Sequence, residues 1–82
     1  MNIRVKINAS ILPYIQNLDQ LPKGDTWEVP EGTTINGVFN MLKLPEGGAR
    51  LFAMLNNTMT KDWDKVLKEG DKVLFAPLIG GG

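Results

Sequence analysis

The chain has 82 residues, which suits one domain, and its 43% hydrophobic and 22% charged residues are typical of a folded globular protein. Nine lysines and arginines balance nine aspartates and glutamates, so the composition offers no electrostatic footprint for nucleic acid or an anionic membrane. The chain contains no cysteine and no histidine. This excludes disulfides, thiolate nucleophiles and zinc–thiolate sites, and it removes the commonest general base. A free-standing enzyme is therefore not predicted.

No membrane span or targeting segment is predicted. The longest apolar run, Val73–Ile79, has seven residues and includes Pro77, far short of the ~20 residues that cross a bilayer. Met1–Arg4 leads directly into an alternating pattern without the layout of a signal peptide. We therefore expect a cytoplasmic protein.

The first third of the chain predicts two strands and a less regular connection. Asn2–Ala9 alternates apolar and polar residues at period two, which indicates a half-buried strand. Ser10–Gly24 is apolar but irregular, compatible either with a short helical turn after Pro13 or with a loop folded onto the core. Thr26–Val29 alternates again and predicts a second strand.

A helix is predicted after Thr34, whose hydroxyl can accept a hydrogen bond from a first-turn amide. The apolar positions at helical spacing are Ile35, Val38, Phe39 and Leu42. Gly37 lowers helix propensity and so predicts close packing at that point. The helix is expected to end before 45–48, Pro-Glu-Gly-Gly.

The sequence after the helix predicts further strands of the sheet. Leu51–Leu55 is continuously apolar, which favours a strand buried on both faces, and Asn56-Asn57 is a turn pair. The further expectations are a short edge strand at Thr58–Thr60, an irregular segment held to the core by Trp63, Val66 and Leu67, and a last strand at Lys72–Ala76. One helix covering one face of a mixed four- to five-stranded sheet is an α+β architecture. We predict a domain over residues 1–79 and a flexible glycine tail at 80–82.

Charged residues near the last strand are interpreted as a solvated surface. The carboxylates are Asp62, Asp64, Glu69 and Asp71, interleaved with Lys61, Lys65, Lys68 and Lys72. Alternating signs are typical of a solvent-facing segment rather than of a paired-carboxylate site, so no catalytic or metal site is predicted. Arg4 and Lys6 form a small basic stripe, either a solvated sheet face or the complement of an acidic groove on a partner.

The chain ends in Gly80-Gly81-Gly82. Glycine has no Cβ, so three in succession make a thin arm that can enter a narrow channel and present its terminal carboxylate. The alternative is a frayed, functionless end. Leu78 and Ile79, which precede the glycines, are candidates for an apolar docking patch or for packing onto the core, and Phe75 can join either set.

Three features in this order resemble the ubiquitin-like β-grasp sulfur carriers of molybdopterin and thiamine biosynthesis, the MoaD/ThiS family. They are Val29-Pro-Glu-Gly-Thr-Thr-Ile35 leading into a helix, Leu67-Lys-Glu-Gly-Asp-Lys-Val73 leading into a last strand, and a glycine end. The resemblance covers essentially the whole chain.

The resemblance implies a mechanism in which the chain is a carrier and holds no catalytic group or cofactor of its own. An ATP-dependent adenylating enzyme would convert the Gly82 carboxylate to an acyl-adenylate, and a sulfur donor would turn it into a thiocarboxylate. A sulfur-accepting synthase, either the molybdopterin synthase catalytic subunit or a thiazole synthase, would then take the sulfur. The family usually ends in two glycines, so Gly81 is the reacting residue if Gly82 is trimmed.

Two points of the pattern bear on the pathway and on the alternatives. The long Ser10–Gly24 connection favours the molybdopterin-type carrier, although 75–79 lacks the consecutive prolines common in that branch. A protein modifier that transfers the same activated glycine to a lysine, and a non-carrier β-grasp binding module, remain as other functions.

Overall fold

The computed structural model describes residues 1–44 and 51–77. Within these residues there are five strands and one α-helix: β1 Asn2–Ile7, β2 Thr26–Glu28, α1 Ile35–Met41, β3 Leu51–Leu55, β4 Thr58–Thr60 and β5 Lys72–Pro77. Two 3₁₀ turns, Leu12–Tyr14 and Leu18–Gln20, lie between β1 and β2. In the described part of the chain, no helix has the length and apolar character that a membrane span needs.

The sheet is mixed, with strand order β2-β1-β5-β3-β4. The last strand, β5, lies at its centre, parallel to β1 and antiparallel to β3. The predicted α+β architecture is therefore confirmed for the described residues. β1 is shorter than predicted and ends at Ile7, because the Asn8 carbonyl accepts a hydrogen bond from the Ile11 amide at 2.9 Å and the chain turns.

The start of α1 is held by the predicted cap. The Thr34 hydroxyl accepts a hydrogen bond from the Gly37 amide at 3.1 Å, and the Asn36 amide donates to the Trp63 carbonyl at 2.9 Å. Both contacts satisfy amides that have no partner within the helix. At the other end, Lys43 has φ +52°, a left-handed conformation typical of the residue after a helix C-cap. Residues 45–48, which we expected to terminate the helix, lie outside the described residues.

The core lies between α1 and one face of the sheet, which we call the closed face. The sheet contributes Ile3, Val5, Trp27, Ala53, Val73 and Phe75 to it, and the helix side contributes Ile35, Val38 and Leu42. Ile11, Ile15 and Leu21 of the connection between β1 and β2 are also buried. The connection therefore combines the two alternatives left open by its sequence, since it forms short helical turns and also folds onto the core.

Two expectations about burial were wrong. β3 was predicted to be buried on both faces, but only Ala53 in the middle of the strand is fully buried, and no element among residues 1–44 and 51–77 forms a second layer over the other face. Val66 was expected to pack into the core and is instead 52% exposed, whereas its neighbour Leu67 is buried. The predicted turn was correct: Asn56 and Asn57 both have positive φ, 51° and 71°, which suits a two-residue hairpin loop.

Candidate functional site

The central strand β5 carries the candidate C-terminal site. β5 ends at Pro77, and all of Leu78, Ile79, Gly80, Gly81 and Gly82 lie outside the described residues. The structure therefore gives the position of Pro77, the last described residue before this segment, beside the ends of β1 and β3.

On the β1 side, the parallel ladder stops two residues before β5 ends. The Arg4 and Asn8 amides donate to the carbonyls of Asp71 and Phe75 at 2.8 and 2.9 Å. By the alternation of a parallel ladder, the next bond would run from the amide of residue 77 to the Asn8 carbonyl. Residue 77 is proline, which has no N–H, and that carbonyl already accepts from Ile11. Between Phe75 and Pro77, the last described residue, the β1-facing edge of β5 therefore makes no further ladder bond.

On the β3 side, pairing continues to the end of the strand. Leu51 is the register partner of Pro77, and Phe52 is the partner of Ala76. By the same alternation, the nitrogen of residue 77 points away from β3, so proline at this position removes no hydrogen bond to that strand. The last strand is thus anchored along one edge only where it passes into the C-terminal segment.

Phe75 belongs to the core and not to a docking surface, which corrects one of the two roles considered for it. Its side chain is 0% exposed and its ring centroid lies 6.0 Å from that of Phe39 and 5.7 Å from that of Trp63. Phe39 and Trp63 also contact each other in an edge-to-face geometry at 5.1 Å. This aromatic cluster fixes β5 under the helix two residues before the strand ends. Trp27 and Trp63 accordingly pack as predicted, Trp27 fully buried and Trp63 partly.

The sheet face turned away from α1, the open face, carries an apolar patch. Register pairs place its five members on one side of three adjacent strands: Phe52 and Met54 of β3, Met59 of β4, and Leu74 and Ala76 of β5. Met59 is 56% exposed, three of the others are partly exposed, and Ala76 is nearly covered. None of the five belongs to the hydrophobic core cluster.

A basic margin borders this patch. Arg4 and Lys6 of β1 and Lys72 of β5 lie on the open face, since Arg4 is the register partner of Lys72 and Lys6 that of Leu74. The basic stripe anticipated from Arg4 and Lys6 thus gains a third cation from a strand far away in sequence. A carboxylate of the same face, Glu28, lies on the outer strand β2 opposite Asn2.

The carboxylates near β5 act as local hydrogen-bond acceptors. Asp71 accepts from the Asn56 side-chain amide at 3.0 Å and from the Lys68 backbone amide at 2.8 Å, and Glu69 accepts from the Asn2 amide at 2.9 Å. Within residues 1–44 and 51–77, no group of three acidic side chains is arranged to hold a metal ion. The described residues thus comprise the strand that precedes the C-terminal segment and a partly exposed apolar patch bordered by cations.

Sequence reasoning missed the apolar patch of the open face. The available signal was an imbalance: β3 and β5 are apolar at nearly every position, while one helix can cover only one face of a sheet. Met59 within Thr-Met-Thr was a second signal, because its exposed apolar side chain alternates with polar neighbours.

Comparison with known proteins supports the fold and the family. The model of the ThiS family matches residues 5–82. The crystal structure of SAMP1 from Haloferax volcanii is similar to the chain with a TM-score of 0.65 and 12% sequence identity, covering 100% of both chains. At this identity the likeness concerns the fold alone, and it confirms the predicted ubiquitin-like β-grasp. No curated protein matches the chain.

Proposed function

Since the chain belongs to the ThiS family, we propose that it is a sulfur carrier whose C-terminal Gly82 carboxylate is activated by an ATP-dependent adenylating enzyme. The observation that carries the proposal is that the family match runs to residue 82 and so includes the glycine end. The folded part is consistent with this role, because the strand that precedes the C-terminal segment, β5, is paired in the centre of the sheet up to Pro77.

The chemistry requires no side chain of the carrier. The Gly82 carboxylate attacks the α-phosphate of ATP, pyrophosphate leaves, and an acyl-adenylate forms. The terminal sulfur of a persulfide donor then attacks the acyl carbon and AMP leaves. A thiol cleaves the resulting acyl disulfide and releases the thiocarboxylate. A chain without cysteine and histidine is suited to this sequence, since the partner enzymes supply the catalytic groups.

The glycines provide the access that this chemistry needs. Residues 78–82 can span at most about 18 Å when extended, enough to reach from a docked domain into a recessed active site. Side chains at 80–82 would thicken the arm and restrict its backbone. If Gly82 is trimmed, Gly81 takes its place as the reacting residue.

The sulfur acceptor that we propose is the catalytic subunit of a molybdopterin-type synthase in the cytoplasm. The support is the long connection between β1 and β2, with its two 3₁₀ turns, the feature that favoured this branch in the sequence. A thiazole synthase is the alternative acceptor. A modifier would share the activation step and transfer the glycine to a lysine amine instead of to sulfur.

The test is the intact mass, with C-terminal fragmentation, of the chain after incubation with the adenylating enzyme of its own cells, ATP and a persulfide donor. We expect one terminal oxygen to be replaced by sulfur at Gly82 or Gly81, and we expect Gly81→Val to abolish this without loss of the fold. An added C-terminal alanine should block the reaction, and carboxypeptidase removal of that alanine should restore it. Undiminished thiocarboxylate in the blocked chain would contradict the proposal, and a glycine–lysine isopeptide would favour the modifier.

A further inference from the structure

The sequence contains one asparagine–glycine pair, Asn36-Gly37, and it lies in the first turn of α1. In such a pair the backbone nitrogen of glycine can attack the side-chain carbonyl carbon of asparagine, because glycine has no side chain that shields its nitrogen. We propose that Asn36-Gly37 is a site of spontaneous deamidation, which the contacts of α1 hold back in the folded chain and which reacts when the first turn opens. The chain itself is the substrate, and water is the co-reactant.

The reaction balances without an enzyme or a cofactor. The Gly37 nitrogen loses its proton and forms a bond to the Asn36 side-chain carbon, and the side-chain nitrogen takes up a proton and leaves as ammonia. The product is a cyclic imide. Water then adds to either of its carbonyl carbons, the bond from that carbon to the nitrogen breaks, and the nitrogen regains a proton. Opening at the side-chain carbon gives aspartate, whereas opening at the main-chain carbon gives isoaspartate, in which the main chain runs through the former side chain.

Hydrogen bonds hold both reacting groups of this pair in the folded chain. The Gly37 amide donates to the Thr34 hydroxyl at 3.1 Å, and the Asn36 side-chain amide donates to the Asp64 carboxylate at 2.8 Å. The helical backbone, with ψ of about −42°, also directs the Gly37 nitrogen along the helix axis and away from the Asn36 side chain. The attack therefore requires a rotation about ψ of Asn36, which breaks the bond to Thr34.

This restraint is local to the first turn. α1 has only seven residues, and both Asn36 and Gly37 are partly exposed. Helix ends of this kind open more readily than the core of a protein, without global unfolding. The rate of deamidation should therefore depend on the contacts of the first turn more than on the stability of the whole domain.

Glycine at position 37 is not required by the fold, which allows the pair to be removed. The backbone of Gly37 is not in the left-handed region. A Cβ at this position would lie 3.3 Å from the Thr33 methyl group and 3.6 Å from the Thr34 hydroxyl oxygen. Only a small shift of the Thr33 side chain is needed, so Gly37→Ala is compatible with the helix and should also raise its helix propensity.

Deamidation would weaken the attachment of α1 to the segment between β4 and β5. Asn36 makes this attachment twice, through its backbone amide to the Trp63 carbonyl at 2.9 Å and through its side chain to Asp64. A carboxylate at position 36 would face that of Asp64 without a hydrogen between them, and like charges at this distance repel. Isoaspartate would in addition lengthen the main chain in the first turn. Since Trp63 packs against Phe39 and Phe75, the change should reach the aromatic cluster and lower the unfolding temperature.

The experiment follows deamidation of the full chain in mildly alkaline buffer, both folded and in concentrated urea. Intact mass measures the conversion of amide to acid, peptide fragmentation locates it, and an isoaspartyl methyltransferase identifies the isoaspartate product. Thr34→Ala is matched by Ile3→Val, a core substitution in β1 that should lose a similar free energy of unfolding. Asp64→Ala removes the acceptor of the Asn36 side chain and is matched by Asp19→Ala, an exposed carboxylate between β1 and β2.

We expect position 36 to react several-fold more slowly in the folded chain than in urea, and faster in urea than any other asparagine. Thr34→Ala and Asp64→Ala should each accelerate the reaction of the folded chain several-fold and leave the rate in urea unchanged. The two matched controls should react like the unmodified chain, and Gly37→Ala should slow the reaction in both conditions. Equal rates in the folded chain and in urea, or equal acceleration by Thr34→Ala and Ile3→Val, would overturn the restraint by the first turn.

The deamidated fraction is then separated by ion exchange, and its thermal unfolding is compared with that of the unreacted chain. We expect it to unfold at a lower temperature, with a change in the fluorescence of Trp63. The variant Asn36→Asp separates the effect of the charge from that of the altered main chain, and it should lose less stability than the isoaspartate product. Equal unfolding temperatures of the reacted and unreacted chains would overturn the weakened attachment, and preferential reaction of another asparagine in urea would overturn the site.

Discussion

The two faces of the sheet are formed by the same strands, but one is covered by the helix and the other is partly exposed. On the closed face, Val73 and Phe75 are fully buried against α1. On the open face, their immediate neighbours Leu74 and Lys72 remain partly exposed, with no layer of the described residues above them. Because successive side chains of a strand point to opposite faces, one apolar strand can contribute to the core and also leave apolar side chains partly exposed. Hydrophobicity alone therefore does not reveal which residue has which task.

The prediction with the largest expected effect on stability compares substitutions at two adjacent residues of β5, one on each face. Phe75→Ala should cost about 3–5 kcal/mol of unfolding free energy, because it removes a fully buried ring packed against Phe39 and Trp63. Leu74→Ala should cost about 1 kcal/mol or less, because it removes partly exposed surface. Urea unfolding followed by tryptophan fluorescence measures both.

If Phe75→Ala does not fold, two more conservative substitutions at the same positions test the same difference. Phe75→Leu should still be measurably less stable than the unmodified chain, whereas Leu74→Met should be nearly neutral. Equal losses at positions 74 and 75 would contradict the assignment of the two faces.

A second test concerns the helix that covers the closed face. Thr34→Ala removes the hydroxyl that accepts from the Gly37 amide and should cost about 1 kcal/mol. Thr34→Ser keeps the hydroxyl and should retain most of that stability. Thermal unfolding of the two variants gives the comparison. If both lose the same amount, the methyl group of Thr34 matters and the hydrogen bond does not.

The closed face was largely predictable from the sequence because its signals are local. The alternation in Asn2–Ile7, the cap at Thr34 and the turn at Asn56-Asn57 each lie within a few residues. They need no knowledge of distant partners. The glycine end could likewise be identified from the sequence, since it depends on residue identity alone.

The open face was not predictable because it is assembled from strands far apart in sequence. Phe52, Met59 and Leu74 become neighbours only through the register of β3, β4 and β5. In an apolar strand such as β5, the sequence also does not distinguish the side chain facing the helix from the one facing away, which is why Phe75 was assigned two roles. The position of Lys72 beside Arg4 was likewise not predictable, because it depends on the pairing of β1 with β5.

The substitution with the smallest expected effect on stability tests the open face most directly. It should stabilise the chain, whereas the substitutions above should destabilise it. Lys72→Glu replaces a like-charge pair across the parallel β1–β5 ladder by an attractive one and should stabilise the chain by about 0.2–1 kcal/mol, as for an exposed ion pair. The Lys72 backbone amide keeps its bond to the Asn56 side chain, so the strand itself is not disturbed. Urea unfolding at low salt measures the gain, which should shrink as salt is added. Lys72→Gln should give a smaller gain, because it removes repulsion without adding attraction. A loss of stability with Lys72→Glu, or a gain that salt leaves unchanged, would mean that the two cations do not repel each other across the ladder.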